Sequence, residues 1–352
     1  MSRFFSSKYA QLTPYVPGEQ PQDQQYIKLN TNESPFPPSP KAIAKASEAA
    51  KRLQLYSDPD ARVLIRKLAE KFDVAPENII AGNGSDEILN FAFLAFCDKE
   101  TPAIFPDVTY GFYPVFSQAG QIPYVEMPLR EDFTIDVKDY TKAGGTIFIA
   151  NPNAHTGVAL SQADLEGIVR SNPDNVVVID EAYVDFGAES CVELTKKYDN
   201  VIVVQTMSKS RSLAGARLGY GIACRDLICD MNTLRNSTNP YNINAMTMAA
   251  AVGVLEDEDF TQANCEAVIK TREFTVGELR KLGFELTNSV GNFIFMKHPQ
   301  VDGEYIYETL KAQGVLVRHF TKARICQYNR VTIGSRQQME IFIEKLKEIV
   351  NR

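Results

Sequence analysis

The sequence predicts an α/β protein in two parts: a large domain on a doubly wound, mostly parallel sheet, and a smaller α+β domain at the C-terminal end. The first observation is a series of short apolar runs, rich in valine and isoleucine, between residues 79 and 223. Runs without polar alternation are typical of parallel strands buried on both faces. The second is that helical stretches separate most of these runs, as right-handed crossovers between parallel strands require. The third is a change of pattern near Glu256, which predicts a separate α+β domain.

The elements follow in order along three predicted segments: an N-terminal arm (1–30), the large domain (31–255) and the small domain (256–352). The arm is rich in proline and polar residues, which favours extended chain. The predicted helices of the large domain are 40–53 and 61–72, and its predicted strands are 79–81, 103–105, 146–150, 176–179, 201–204 and 220–223. The small domain is predicted to hold a helix to about Leu282, strands at 293–296, 314–320 and 330–334, and a C-terminal helix, QQMEIFIEKLKEIV.

Composition and charge narrow the class of protein. The 352 residues are 44% hydrophobic and 23% charged, which is ordinary for a globular protein, and the formal net charge is −7. An acidic balance argues against a nucleic-acid partner or an anionic membrane surface, because both favour a basic face. With three histidines and six scattered cysteines that form no CxxC pair, we predict no metal site and reduced thiols. The absence of a secretory signal or a membrane-length apolar run predicts a cytoplasmic protein.

Polar residues follow several of the predicted strands, where ligands bind in open parallel sheets. Asp180 and Tyr183 follow VVVI, while Lys209 follows VIVV in the stretch QTMSKSRSLAGARLGY. The run GNGSDE precedes an apolar helix, whose N-terminus offers free N–H groups to an anion. Taken singly, GNGSDE could be a turn with an N-cap, Asp180 a helix cap and Lys209 a solvated side chain. Together, a lysine, a carboxylate and an anion cradle suit pyridoxal phosphate, which needs a Schiff-base lysine and a partner for its pyridine nitrogen.

The chain resembles the fold type I pyridoxal phosphate enzymes and, among them, the histidinol-phosphate aminotransferases. The resemblance runs over nearly the whole sequence. Its motifs occur in the family's order: LTPYVPG, LNTNESPFPPSP, YSDPD, GNGSDE, PDVTYGFY, DEAYVDF, SKSRSLAGARLGY and NRVTIG. It implies the fold type I architecture and an aminotransferase activity.

The resemblance also implies roles for particular residues. Lys209 would form the Schiff base and later move the α-proton, Asp180 would pair with the pyridine nitrogen, and Tyr183 would pair with the ring hydroxyl. Tyr110 would stack on the ring, although it could instead be core packing. The remaining implied cofactor contacts are Gly84, Ser85, Asp86, Thr206, Ser208 and Arg217, which would hold the phosphate, with Thr206 assisting.

On the substrate side, the resemblance implies that Arg330 binds a carboxylate or its equivalent. A guanidinium group can donate two parallel hydrogen bonds to a carboxylate, which a lysine cannot. Arg318 would lie near the substrate phosphate, or could be a surface strand arginine. Tyr15 and Asn32 match substrate-side positions on the arm. Tyr56 matches a tyrosine that reaches the cofactor phosphate of the neighbouring subunit, which implies a homodimer with shared active sites, although it could instead be interface packing.

Two departures from the family pattern bear on the site. The family's Asn-Asn-Pro-Thr-Gly is NAHTG here, so the asparagine expected at the ring hydroxyl falls on Ala154 and the proline on His155. Either Asn153 takes over that contact or Tyr183 acts alone, and a cis bond before residue 155 is not expected, since cis bonds are largely a proline property. Arg211 stands where the family commonly has an aromatic or apolar residue. It either lowers the pKa of Lys209 or pairs with an acidic group elsewhere.

The leading hypothesis is an aminotransferase that acts on histidinol phosphate with 2-oxoglutarate as acceptor, or on an aromatic amino acid. An alternative keeps the cofactor but decarboxylates a phosphorylated amino acid, as the related threonine-phosphate enzymes do. A third is a non-catalytic binding module on the same fold. A Rossmann nucleotide enzyme is excluded, because no GxGxxG follows an early strand.

Overall fold

The structure is a computed structural model that describes residues 2–10 and 12–351. Its strands are β1 (Ile27–Lys28), β2 (Ile79–Gly82), β3 (Ala103–Pro106), β4 (Tyr124–Met127), β5 (Thr146–Ala150), β6 (Val177–Asp180), β7 (Val201–Thr206), β8 (Gly219–Ala223), β9 (Glu285–Leu286), β10 (Phe293–Lys297), β11 (Val315–Leu316), β12 (Arg318–His319) and β13 (Asn329–Thr332). Its α-helices are α1 (Pro40–Ala50), α2 (Arg62–Phe72), α3 (Ser85–Phe96), α4 (Tyr113–Gly120), α5 (Gln162–Ser171), α6 (Arg225–Thr238), α7 (Ala245–Leu255), α8 (Glu258–Lys281), α9 (Gly303–Ala312) and α10 (Arg336–Val350).

A seven-stranded sheet forms the centre of the larger part, in the order β2-β8-β7-β6-β5-β3-β4. All residues of β2, β3, β5, β6, β7 and β8 are buried, because helices cover both faces of the sheet. β8 runs antiparallel to both of its neighbours, and the other pairings are parallel. The predicted mostly parallel α/β sheet is therefore confirmed.

Two details of this sheet differ from the prediction. The run at 220–223 was expected to continue the parallel series, and that expectation is wrong. Residues 207–218, between β7 and β8, hold only a short 3-10 turn (Ala214–Ala216), so the chain folds back to pair antiparallel. β4 was not predicted, because three of its four residues are exposed at the sheet edge and give no apolar run.

A four-stranded antiparallel sheet, in the order β12-β13-β10-β9, lies in the C-terminal part. Helices α8, α9 and α10 pack with it around a separate apolar cluster. A capping box formed by Ser335 and Gln338 starts α10. The run predicted as one strand at 314–320 is divided, because β11 pairs with β1 while β12 pairs with β13.

The N-terminal segment is joined to the C-terminal part through a short parallel pair, Ile27 with Val315 and Lys28 with Leu316. Leu29 N–H also donates to the Leu316 carbonyl, 2.8 Å away. This pairing fixes residues 29–33 beside the carboxyl ends of the large sheet. The domain boundaries at residues 30 and 255 stay a prediction. Among the helices of the described residues, none has both the length and the hydropathy of a membrane span.

Candidate active site

A cavity lies at the carboxyl ends of β6 and β7, beside the start of α3. Its lining residues are Ser85, Asp86, Tyr110, Ala154, Asp180, Ala182, Tyr183, Thr206, Ser208, Lys209 and Arg217. All but Ala154 and Ala182 are among the predicted cofactor contacts. The strand ends therefore bring together residues that lie up to 132 positions apart in the sequence, between Ser85 and Arg217.

Lys209 lies three residues past the end of β7, on the loop toward β8. Its Nζ donates a hydrogen bond to the Thr31 carbonyl, 3.2 Å away, and lies 5.9 Å from the centre of the Tyr183 ring. Burial, together with the cation of Arg330, lowers the pKa of Lys209 to about 8. A lysine with that pKa is neutral in a far larger fraction of molecules near physiological pH than an ordinary lysine, which favours a role as nucleophile or general base.

Asp180 is the last residue of β6 and is 5% exposed. Its carboxylate accepts hydrogen bonds from the Tyr113 hydroxyl (3.1 Å) and the Ala182 N–H (3.2 Å). Burial raises the pKa of Asp180 to about 6, although the bond from Tyr113 opposes this shift. A cationic group bound in the cavity would stabilise a buried carboxylate of this kind.

Tyr183 follows β6 and packs edge-on against Phe293, with ring centres 5.0 Å apart. Its hydroxyl accepts a hydrogen bond from Asn32 Nδ2, 3.0 Å away. Asn32 was predicted to be a substrate-side residue, and in the structure its side chain contacts Tyr183. Sequence patterns gave no signal for this contact, which joins residues 151 positions apart.

The anion cradle lies at the N-terminus of α3. Gly84 has φ +82°, and a Cβ there would lie 2.6 Å from Arg217 Nη2, so glycine is required for this close approach. Arg217 Nη2 donates to Asp86 Oδ2 (2.8 Å), and the Tyr110 hydroxyl donates to Asp86 Oδ1 (2.6 Å). Because the first turn of a helix has unpaired N–H groups, this corner is suited to a phosphate.

Thr206 and Ser208 form the opposite wall of the cradle. The Thr206 hydroxyl contacts Ser208 Oγ at 3.0 Å and also accepts from the Ser208 N–H at 3.2 Å. Both side chains are buried. The two hydroxyls therefore hold the start of the Lys209 loop in one conformation and lie beside the helix N-terminus.

Arg330 and Arg318 lie at the boundary between the arm and the small sheet. Arg330 Nη1 donates to the Ala154 carbonyl (3.0 Å), and its buried Nε has no hydrogen-bond partner among the described residues. Burial lowers the pKa of Arg330 below its ordinary value. Arg318 instead donates to the carbonyls of Val16 (3.1 Å) and Pro17 (3.2 Å), which holds the arm.

Tyr15, also on the arm, is 38% exposed and packs on Phe112 with ring centres 4.8 Å apart. Its position on the arm is fixed close to the Arg318 contacts at residues 16 and 17. Tyr15, Arg318 and Lys209 all lie within range of the Arg330 charge, while Tyr15, Arg318 and Arg330 are outside the cavity lining.

The structure favours one of the two alternatives for the altered NAHTG segment. Asn153 is not in the cavity lining, because its Nδ2 donates to the Val108 carbonyl (2.8 Å) and to Thr156 Oγ1 (3.1 Å). Ala154 lines the cavity but carries no polar group. Of Asn153 and Tyr183, only Tyr183 has a side chain in the cavity lining, and its role at the ring hydroxyl stays a prediction. The cis peptide bond of this segment precedes Pro152, and none precedes His155.

His155 packs against Phe320, with ring centres 4.6 Å apart. Burial and the nearby cations of Arg330, Arg318 and Lys322 lower the pKa of His155 well below its ordinary value. The histidine is therefore neutral, and it fills the space between the segment and the small sheet.

Arg211 pairs with an acidic group outside the cavity, which settles the alternatives left open for it. Its guanidinium donates to both carboxylate oxygens of Glu258, at 2.9 and 3.3 Å, and its side chain is 4% exposed. Lys71 contacts the same carboxylate at 2.9 Å. The Lys209 loop is thereby tied to the first residue of α8.

Tyr56 lies away from the cavity and is 86% exposed. It stacks on Tyr241 with ring centres 4.7 Å apart. Tyr56 also lines an apolar groove of about 520 Å³ between α1 and α7. Within the described chain, Tyr56 is the predicted cofactor contact that the fold leaves far from Lys209.

The described residues fit pyridoxal phosphate on three counts. A lysine with a lowered pKa and a buried carboxylate line the same cavity, and an arginine and a helix N-terminus form an anion site beside them. The tyrosines Tyr110 and Tyr183 supply aromatic surface and a hydroxyl. The chemistry that this set supports is reaction at an amine bound to the cofactor.

Comparison with known proteins agrees with this site. The family model described as aminotransferase class I and II matches residues 24–346. A histidinol-phosphate aminotransferase of Acinetobacter baumannii (strain AYE) is 47% identical over 350 residues, covering 98% of this chain and 97% of the relative. One of Clostridium botulinum (strain Okra / Type B1) is 45% identical over 353 residues, covering 100% of both.

The solved structure of the histidinol-phosphate aminotransferase of Sinorhizobium meliloti in complex with pyridoxal-5'-phosphate has the same fold, with a TM-score of 0.86. The two sequences are 22% identical, and the match covers 93% of this chain and 92% of that chain. The fold and the site thus define an aminotransferase of fold type I that uses pyridoxal phosphate. The chain belongs to the aminotransferase class I and II family and, within it, to the histidinol-phosphate aminotransferases.

Sequence reasoning missed three contacts that complete the site: the Thr31 carbonyl on Lys209, the Tyr113 hydroxyl on Asp180 and the Asn32 amide on Tyr183. Tyr113 lies in the PDVTYGFY motif, but the resemblance gave it no role of its own. The Thr31 contact uses a backbone carbonyl, which any residue type supplies, so the sequence contains no signal for it.

Proposed function

We propose that this aminotransferase moves the amino group of histidinol phosphate to 2-oxoglutarate, as a step of histidine biosynthesis. The observation that carries the substrate assignment is the 45–47% identity, over nearly the full chain, to curated histidinol-phosphate aminotransferases. The exposed arm residue Tyr15 and the paired arginines Arg318 and Arg330 support it, since an anionic substrate needs fixed cations near the reacting carbon.

Pyridoxal phosphate, when bound, supplies an electron sink for the bond broken at the substrate carbon. Lys209 Nζ is the group placed to take up and return the proton at that carbon, because its pKa of about 8 lies near the working pH. Asp180 would stabilise a protonated pyridine nitrogen, since it is a buried carboxylate at the cavity wall. Ser85, Ser208, Arg217 and the α3 N-terminus would hold the phosphate.

Arg330 would bind the anionic end of the substrate through its buried Nε, which has no partner among the described residues. Arg318 would act through the arm, because its two donors already hold the carbonyls of Val16 and Pro17. Tyr15 would then close over the substrate. A fixed arm excludes water from the reacting amine, which favours proton transfer to Lys209.

The same proposal includes a homodimer in the cytoplasm with shared active sites. Tyr56 supports the dimer, because a tyrosine 86% exposed at an apolar groove is suited to contact a second copy of the chain. The groove is lined by Leu55, Ala61, Met248 and Ala249 among other residues. In the dimer, Tyr56 would reach the cofactor phosphate of the partner subunit.

The test begins with the purified protein and added pyridoxal phosphate. We expect a yellow band that borohydride fixes onto the peptide containing Lys209, and glutamate formation from 2-oxoglutarate with histidinol phosphate. Phenylalanine and tyrosine should be poorer donors. Lys209→Ala should retain its fold and lose transamination.

The outcomes separate the alternatives. Efficient use of aromatic amino acids with no preference for histidinol phosphate would contradict the substrate assignment and leave the aminotransferase. Release of carbon dioxide from threonine phosphate without any 2-oxo acid would support the decarboxylase instead. A single-subunit mass in solution with full activity would contradict the shared site.

A further inference from the structure

We propose that Asn32 is a positioning residue for the reaction: its side-chain amide holds the Tyr183 hydroxyl so that the hydroxyl proton stays available for the ring oxygen of pyridoxal phosphate. The inference rests on the proposed function and on the role that the resemblance implies for Tyr183, which is to pair with the ring hydroxyl. It concerns a contact between two side chains of this protein, Asn32 Nδ2 and Tyr183 Oη, which are 3.0 Å apart.

The hydrogen bonds around Asn32 fix the orientation of its amide. The Asn32 backbone N–H donates to Thr332 Oγ1 at 2.9 Å, and Thr332 Oγ1 lies 3.1 Å from Asn32 Oδ1, to which it donates its own proton. Nδ2 is therefore the atom that faces Tyr183. The reversed amide would leave the buried Thr332 hydroxyl without an acceptor among the described residues, which costs free energy.

The position of the amide is rigid. Asn32 is 1% exposed, and its backbone has φ +56°, which asparagine tolerates better than most residues. Asn292 Nδ2 also donates to the Asn32 carbonyl at 3.0 Å. Since Thr332 belongs to β13, the small sheet sets where the donor to Tyr183 lies.

This contact decides the direction of the Tyr183 hydroxyl. A phenol oxygen that accepts from Asn32 keeps its own proton for another acceptor. The hydroxyl protons of the other two tyrosines at the site are used in other hydrogen bonds, because Tyr110 donates to Asp86 and Tyr113 donates to Asp180. Ala154 carries no donor for the ring oxygen. Tyr183 therefore depends on Asn32 for a task that the family shares between an asparagine and a tyrosine.

The test measures the pH at which the visible band of the cofactor-loaded enzyme titrates. Asn32→Gly removes the amide without backbone strain at φ +56°, and Asn32→Asp replaces the donor by an acceptor of the same shape. Asn30→Asp is the matched control, because Asn30 is equally buried and its Nδ2 donates to the Glu19 carbonyl, away from Tyr183. The charged neighbours of Tyr183, which are Lys209, Asp180, Asp86 and Arg330, are unchanged in all variants.

We expect the midpoint to rise by roughly 0.5–1 pH unit in Asn32→Gly, since a hydrogen bond to the ring oxygen favours its anionic form. Asn32→Asp should raise it further, and Asn30→Asp should titrate as the wild type does. In a Tyr183→Phe background, Asn32→Gly should add no further shift.

Three results would overturn the proposal: an unchanged midpoint in Asn32→Gly, an equal shift in Asn30→Asp and Asn32→Asp, or a full shift from Asn32→Gly in the Tyr183→Phe background. Two variants at position 32 keep the test decisive if one of them fails to fold. A wild-type protein without a visible band would contradict the cofactor assignment, which is a different failure.

Discussion

Gly219, the first residue of β8, is required by the anion cradle, and its replacement by alanine is the sharpest test of the site's geometry. A Cβ at this position would lie 2.2 Å from the Ser85 backbone nitrogen and 2.5 Å from the Gly84 carbonyl carbon. Both atoms belong to the backbone at the start of α3, so no side chain can move aside.

The size of the effect follows from these distances. To bring the contact with Ser85 N to 3.4 Å, β8 and the start of α3 must separate by about 1.2 Å. Overpacking of this kind costs about 1–3 kcal/mol. Because the displaced atoms are those that would hold the phosphate, the loss should fall on cofactor affinity, which corresponds to about 5–150-fold weaker binding.

The assay is a titration of the cofactor-free protein with pyridoxal phosphate, followed by absorbance, with thermal melting in parallel. The matched control is Gly221→Ala on the same strand and the same face, where a Cβ would be 3.0 Å from Ile88 Cγ2, a side-chain atom that can shift. Wild-type affinity in Gly219→Ala, or equal losses in both variants, would refute the reasoning.

Three further predictions follow from contacts described above. In the cofactor-free protein, an amine reagent should modify Lys209 with a midpoint near pH 8, because burial lowers the pKa of Lys209 and the protonated amine does not react. A midpoint near pH 10 would contradict the lowered pKa of Lys209. Arg211→Leu should lower the free energy of unfolding in denaturant by about 1–3 kcal/mol, while Glu258 keeps Lys71 as a partner. Arg211→Lys should lower this free energy by less. An unchanged free energy of unfolding in Arg211→Leu would show that the pair of Arg211 and Glu258 is not stabilising. Arg318→Ala should speed proteolysis of the arm near residues 16–17, since both of its donors hold carbonyls there, whereas Lys142→Ala on an exposed turn should cleave as the wild type does.

Much of the fold could be predicted, because burial on both faces of a parallel strand leaves a continuous apolar run. The predicted strands at 79–81, 146–150 and 201–204 lie within β2, β5 and β7. The direction of β8 could not be predicted, since strand direction depends on the path of the connecting loop, which carries no periodic pattern. β4 is mostly exposed at an edge, and Glu126 interrupts its apolar residues, so it gives no continuous apolar run.

The candidate site could likewise be predicted in part from the sequence. Lys209, Asp180 and Arg217 follow strands or precede β8 in recognisable motifs, and the structure places all three around one cavity. The contacts that orient them depend on side-chain geometry across long stretches of sequence. Asn32 and Thr332 are 300 positions apart, and their contact forms where the chain after β1 meets β13, with the Thr332 N–H donating to the Leu29 carbonyl at 2.9 Å. The pairing of β1 with β11 anchors the same segment.

That pairing also sets the order in which the enzyme can mature during synthesis. Residues 31 and 32 supply the partners of Lys209 and Tyr183, yet the strand that fixes them, β11, begins at Val315. A ribosome that has made the whole large sheet has still not made the strand that anchors its first segment. Closing so long a loop is slow, because its entropy must be lost before the contacts form. The nascent chain therefore has the complete set of site contacts only once β11 has emerged, after all seven strands of the large sheet.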